Sequence, residues 1–253
     1  MCKIITVATQ KGGVAKTTTA CVLATVLSHK GFRVLAIDMD PQGNLSFAMN
    51  CEMDKSATIY DVLKGDVKTG FAIQHHAIVN TIPTNVLLSS IEMEFTGKGR
   101  EFLLKNALQS VKDDYDYILI DSPPGLGVLT VNALVAADYL ILPMLPDIFS
   151  LQGITQVYET VEHVRQTCNP QIKIAGILFT KFNPRTRLAN EVHGTAELIA
   201  NQLDISIFKT TIRNCLALSE AQSMQCDAVD YAPRSTGISD YRSLADELVE
   251  RGI

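Results

Sequence analysis

Paired sulfur is the first thing missing. The six cysteines stand at positions 2, 21, 51, 168, 215 and 226. None are close enough for a CxxC pair, and none joins a histidine at zinc-binding spacing, so the pattern reads as buried or idle thiols of a reducing cytosol. Excess positive charge is missing too. Lys and Arg number 22 against 27 Asp and Glu, a net charge of −5, so any contact with DNA must come from a local patch. No apolar run approaches the ~20 residues of a membrane helix. The longest, 140–145, is short and contains Pro143. Residues 1–20 read as a strand and a polar, Gly-rich loop, which is not a signal peptide. Repeats, linkers and low-complexity segments are absent. What is present is 47% hydrophobic and 19% charged residues. That composition supports one large buried core, read as a single domain over residues 1–253.

β-branched runs alternate with helical patterns. Strands are expected over 3–8, 33–38, 78–82, 117–121, 139–142 and 172–180. Helices are expected over 17–30, 99–112, 128–137, 151–166, 185–201, 215–222 and 239–250, with Gly31 stopping the first. This alternation predicts an α/β fold, a doubly wound and mostly parallel sheet with helices on both faces. Right-handed crossovers then bring the loops after each strand to one edge.

The first of those loops, Gln10-Lys11-Gly12-Gly13-Val14-Ala15-Lys16-Thr17-Thr18, joins a strand to a helix, the context of a phosphate loop. Glycines let backbone N–H groups turn toward phosphate oxygens, and the helix N-terminus adds its positive dipole end. Lys16 is placed to reach the β- and γ-phosphates, and the Thr17 hydroxyl to hold Mg²⁺. Gln10 and Ala15 replace both outer glycines of the ordinary G-x-x-x-x-G-K-T pattern. If position 15 needs positive φ, its methyl costs about 1 kcal/mol, and nucleotide affinity falls without being abolished.

Asp38 and Asp40 close the second strand two residues apart, so their side chains point the same way toward the ligand edge. The apolar run Ile118-Leu119-Ile120 ends on Asp121 and is followed by Ser122-Pro123-Pro124-Gly125. This is a Walker B arrangement, in which Asp121 would hold Mg²⁺ through water. Gly125 gives the following loop freedom to track a γ-phosphate.

The string K-G-G-x-x-K-T-T, together with D-x-D-P-Q-G-N over 38–44, resembles the deviant Walker A P-loop ATPases and, among them, the ParA partition family. The resemblance runs from the first strand to the last helix. It implies that Lys11 reaches across a two-fold axis to ATP held by a second subunit, in the manner of an arginine finger. It implies that Asp40, Pro41 and Gln42 form a first switch in which Asp40 orients the attacking water. Asp38 would then support Mg²⁺ and loop geometry, and Pro124 and Gly125 would belong to a second switch. Lys181, in Phe179-Thr180-Lys181-Phe182-Asn183-Pro184-Arg185-Thr186, and Ile212, Arg213 and Asn214 match segments that flank the adenine, although the usual proline before the arginine is missing.

The resemblance further implies ATP and Mg²⁺ as ligands, an ATP-dependent sandwich homodimer, and non-specific binding of nucleoid DNA through Arg185, Arg187 and Arg213. A ParB-like or cargo-adaptor partner follows, as does a cytoplasmic, nucleoid-associated location. Cys215-Leu216-Ala217 stands where a further DNA-contact arginine is usual. Nothing precedes the first strand, so no operator-reading helix-turn-helix is expected. Three other readings are weaker. A MinD-like membrane switch needs a basic terminal amphipathic helix, whereas 239–250 is acidic. A nitrogenase-iron-protein type needs a cysteine soon after Asp121, and 122–137 has none. A P-loop ligase or kinase needs a substrate pocket that D-P-Q-G-N does not suggest.

Overall fold

The computed structural model describes residues 2–253 and, at Glu92, the backbone alone. In chain order the elements are β1 (Lys3–Val7), α1 (Lys16–His29), β2 (Val34–Asp38), α2 (Asn44–Ala48), α3 (Ile59–Lys64) and β3 (Asn80–Ile82). Next come α4 (Ile91–Glu94), α5 (Leu103–Leu108), β4 (Tyr117–Asp121), α6 (Val128–Ala136), β5 (Tyr139–Met144) and α7 (Ile148–Thr167). The chain closes with β6 (Lys173–Phe179), α8 (Arg187–Leu203), α9 (Leu216–Ser223), α10 (Ala228–Tyr231) and α11 (Thr236–Glu250).

The six strands pair in the order β3-β2-β4-β1-β5-β6, and every pairing is parallel. The expected sheet was mostly parallel; the observed one is wholly so. Alternate strand residues divide between two cores, as a pleat requires. Ile4, Leu35, Ile37, Ile118, Ile120 and Leu140 pack with α5 to α8. Ile5, Val7, Ala36, Leu119 and Ile141 pack on the other face with α1, α9 and α11. Burial on both faces explains why β2 and β4 are apolar throughout until their last residue.

Two expectations shift. Residues 99–112 do not form one helix: a short 3₁₀ turn leads into α5, and the chain turns again before a second 3₁₀ segment at Lys112–Asp114. β5 runs on through Pro143 to Met144. Pro143 is tolerated because the ladder to β1 stops at Ile141, so no neighbour on that side asks for its missing N–H.

Candidate nucleotide site

Register builds the site. Asp121 pairs with Val7 on one side and with Asp38 on the other, so β1, β2 and β4 end at one level. Ser122 ties two of these ends together by donating to the Val7 carbonyl at 3.0 Å. The phosphate loop leaves β1 here and winds into α1 through two left-handed residues, Gly13 (φ 74) and Ala15 (φ 64). Ala15 therefore does occupy the positive-φ position. No side chain caps α1, so its first N–H groups stay open to an anion. Thr180, at the end of β6, anchors the loop by donating to the Val14 and Met144 carbonyls.

A cavity of about 620 Å³ opens over the loop. It is lined by Gly12, Gly13, Ala15, Lys16, Thr17 and Thr18, by Asp40 and Gln42 of the segment after β2, and by Pro124 and Lys181. Lys16 is nearly buried, and its ammonium donates to the Lys11 carbonyl at 3.1 Å. Burial pulls its pKa below the ordinary lysine value, and Asp121 and Asp40 pull it part of the way back. Asp40 is buried as well, and burial lifts its pKa. One of its oxygens accepts the Gln42 N–H at 3.0 Å.

Asp38 and Asp121 are both fully buried, and burial pushes both carboxyls upward. Asp38 accepts three hydrogen bonds. Its Oδ2 accepts from the Ser46 N–H (2.7 Å) and hydroxyl (2.8 Å), and its Oδ1 from the Asp40 N–H (3.1 Å). Asp38 thus braces the segment that follows β2. Neither Asp121 oxygen has a partner at bonding geometry, although the Thr17 hydroxyl comes close enough to favour the charged form. A buried, unpartnered carboxylate is costly until a cation neutralises it. Asp121 and Thr17 therefore fit a divalent ion beside the loop.

The segment expected at the adenine edge lies outside the lining of this cavity. Ile212 is 3% exposed and belongs to the core, and its backbone bridges Phe179 and Phe182. The Arg213 guanidinium is taken up by Asp240, with contacts of 2.6 to 3.1 Å. Neither of these residues, nor Asn214, lines the cavity. The far wall of the cavity comes instead from Asn44, Phe47 and Ala48 and from Ser219, Gln222 and Ser223 of α9, with the Thr18 hydroxyl donating to Gln222 at 3.2 Å. Sequence reasoning missed these residues because their contact joins segments some 200 positions apart. Lys181 does line the cavity, its ammonium 3.4 Å from the Gly13 carbonyl. Arg185 and Arg187 are exposed beyond it, Arg187 paired with Glu191 at 2.6 Å.

Lys11 also differs from a solvated loop lysine. Its ammonium lies 2.9 and 2.7 Å from the two carboxylate oxygens of Asp147. Asp147 precedes α7 and caps it by accepting from the Ser150 N–H at 2.9 Å. The pattern Asp147-Ile148-Phe149-Ser150 signals a helix start, but nothing in it points to Lys11.

Comparison with known proteins gives the family. Residues 2–174 match the family described as AAA domain. The sporulation initiation inhibitor protein Soj of Bacillus subtilis is 38% identical over the whole of both chains. The chromosome partitioning protein ParA of Myxococcus xanthus is 36% identical, covering 98% of this chain and 88% of its own. A solved structure titled cobyrinic acid a,c-diamide synthase, from Mycobacterium smegmatis with bound ADP and magnesium, superposes with a TM-score of 0.87 at 33% identity, over 100% and 96% of the two chains. With full-length identity to Soj and ParA added to the geometry of the loop and its aspartates, the chain belongs to the ParA/MinD-type P-loop ATPases.

Proposed function

We propose that this chain is a ParA-type positioning ATPase that acts as one domain over residues 1–253. The observation that carries the reading is the cavity over the phosphate loop that Lys16 and Asp40 line together, with the buried, unpartnered Asp121 close enough to act on the Lys16 charge. ATP with Mg²⁺ is the ligand this arrangement fits. Backbone N–H groups of the loop and the α1 N-terminus receive the phosphates. The Lys16 ammonium exchanges the Lys11 carbonyl for a phosphate oxygen. Bound Mg²⁺ neutralises phosphate charge, and Thr17 and Asp121 are the residues that would hold it. Asp40 has one oxygen held by Gln42, and in this reading its other oxygen orients water for in-line attack. Pro41 and Gln42 on one side, and Pro124 and Gly125 on the other, move with the γ-phosphate as the two switches.

Two copies then close face to face, and the dimer holds nucleoid DNA without sequence preference. The relative named for chromosome partitioning supports a cargo of this kind. A plasmid, a chromosome locus or a protein body such as a carboxysome would be moved through a ParB-like or adaptor protein that stimulates hydrolysis, in the cytoplasm on the nucleoid. Among the described residues Arg185 has no side-chain partner, and Arg187 is held by a single exposed i,i+4 pair. The basic patch therefore rests on these two residues.

The MinD-like reading fares less well. Among the described residues no helix is long and apolar enough to cross a membrane. The apolar face of α11, namely Ile238, Tyr241, Leu244 and Leu248, is fully buried against the rest of the fold and is not available to lipid.

Lys16→Ala should abolish binding of a fluorescent ATP analogue, and Asp40→Ala should bind ATP and elute as a dimer in gel filtration. Tight ATP binding by Lys16→Ala would overturn the phosphate-loop reading. Phosphate release by the unmodified chain, with no small-molecule acceptor added, separates the switch from a ligase.

A further inference from the structure

Residue 11 works in two directions. Its carbonyl accepts from the Lys16 ammonium at 3.1 Å, and its own ammonium is held by both oxygens of Asp147. Two further groups complete the seat. The Ser150 hydroxyl lies 3.4 Å from the ammonium, and the Phe149 ring centroid 5.9 Å. Burial works against the charge of Asp147, but bonds from Lys11 and the Ser150 N–H overcome it and hold the carboxyl below its ordinary pKa. The contact therefore joins two ions, and it uses the cation that the proposed dimer needs for its partner's phosphates.

The seat lies at the surface. Lys11 and Asp147 retain 34% and 28% of their side-chain exposure, and Ile148 and Phe149 beside them are 66% and 78% exposed. A second copy docking over the phosphate loop would meet this patch directly. We propose that Asp147 is a latch on Lys11. In the single chain it neutralises the ammonium in cis, and Lys11 becomes available to a second copy only when that pair opens. The inference rests on the ATP-dimer reading above and adds its control. The latch sets how much ATP-loaded chain must accumulate before dimers form. It is built to open, because a partly exposed pair is worth about threefold in an equilibrium, or about tenfold for the two latches of a dimer.

The link through residue 11 also suggests what opens it. Nucleotide phosphates draw Lys16 off the Lys11 carbonyl, which frees the backbone that carries the latched side chain. Asp147 is not among the residues that line the cavity, so it acts as a positioning residue.

Asp147→Asn is the informative variant. Asn caps a helix as well as Asp does, so α7 keeps its start while Lys11 loses its counter-charge. Sedimentation equilibrium with Mg²⁺ and a non-hydrolysable ATP analogue should show the half-dimer concentration falling about tenfold. Asp147→Glu, which keeps a carboxylate, should stay near the unmodified chain. Lys11→Gln should dimerise poorly, and adding Asp147→Asn to it should give no gain. An unchanged or raised half-dimer concentration for Asp147→Asn overturns the latch. Fluorescent ATP binding to the monomer separates the two readings. If the unmodified chain binds ATP and dimerises but Asp147→Asn is no tighter, only the latch falls. If neither chain dimerises, the dimer reading falls with it.

Discussion

β2 and β4 lie side by side and end in register, each on a fully buried aspartate. Their surroundings differ completely. Asp38 receives three hydrogen bonds from the segment that follows it, and Ser46 passes the network on by accepting the Thr84 N–H at 2.9 Å. Asp121 receives none at bonding geometry. One strand end is complete within the fold and the other is left incomplete. The same residue type in the same position can thus brace a loop or wait for a cation, and the donors nearby decide which.

The comparison breaks most sharply at Asp121. Asp121→Asn removes the charge at constant volume, and ATP hydrolysis should fall by about 10²–10³-fold in a phosphate-release assay. The nucleotide-free chain should become more stable, because a costly buried charge is gone. A gain of about 1 kcal/mol would raise Tm by about 2–4 °C in a chain of this size. Asp38→Ala should do the reverse. It strands the Ser46 and Asp40 donors in the interior and should cost about 2–3 kcal/mol, seen as a lower denaturant midpoint at unchanged slope.

The shared strand level was readable from sequence, since each apolar run ends on its aspartate and β4 occupies the expected residues. The division of labour was not. It depends on Ser46, at the start of a short helix that no periodicity announces in so few residues. α3 was missed although Thr58 and Asp61 form a capping box before an apolar pair. The sequence also could not place Ile212 in the core or seat Arg213 on Asp240, because both depend on where α11 packs.

Acidity offers a gentler probe. Burial raises both carboxyls above their unfolded values, Asp38 to about 6. The folded chain therefore holds protons that the unfolded chain has already released. That contribution to stability is greatest below the unfolded value of ~3.9 and is lost as pH rises through the folded one. Without Mg²⁺ and nucleotide, Tm should fall between pH 4 and 7 more steeply in the unmodified chain than in Asp121→Asn. Equal slopes would mean that Asp121 contributes no proton uptake in that range. The smallest effect should come from Ser46→Ala. It removes one of Asp38's three bonds together with the link to Thr84, at about 1 kcal/mol.

Ala15 takes up the left-handed bend directly before α1. Its methyl costs the loop about 1 kcal/mol in that conformation. A glycine here would relieve the bend but would also let the empty loop wander through conformations that phosphate must then gather in. Alanine makes the loop slightly harder to fold and easier to fill.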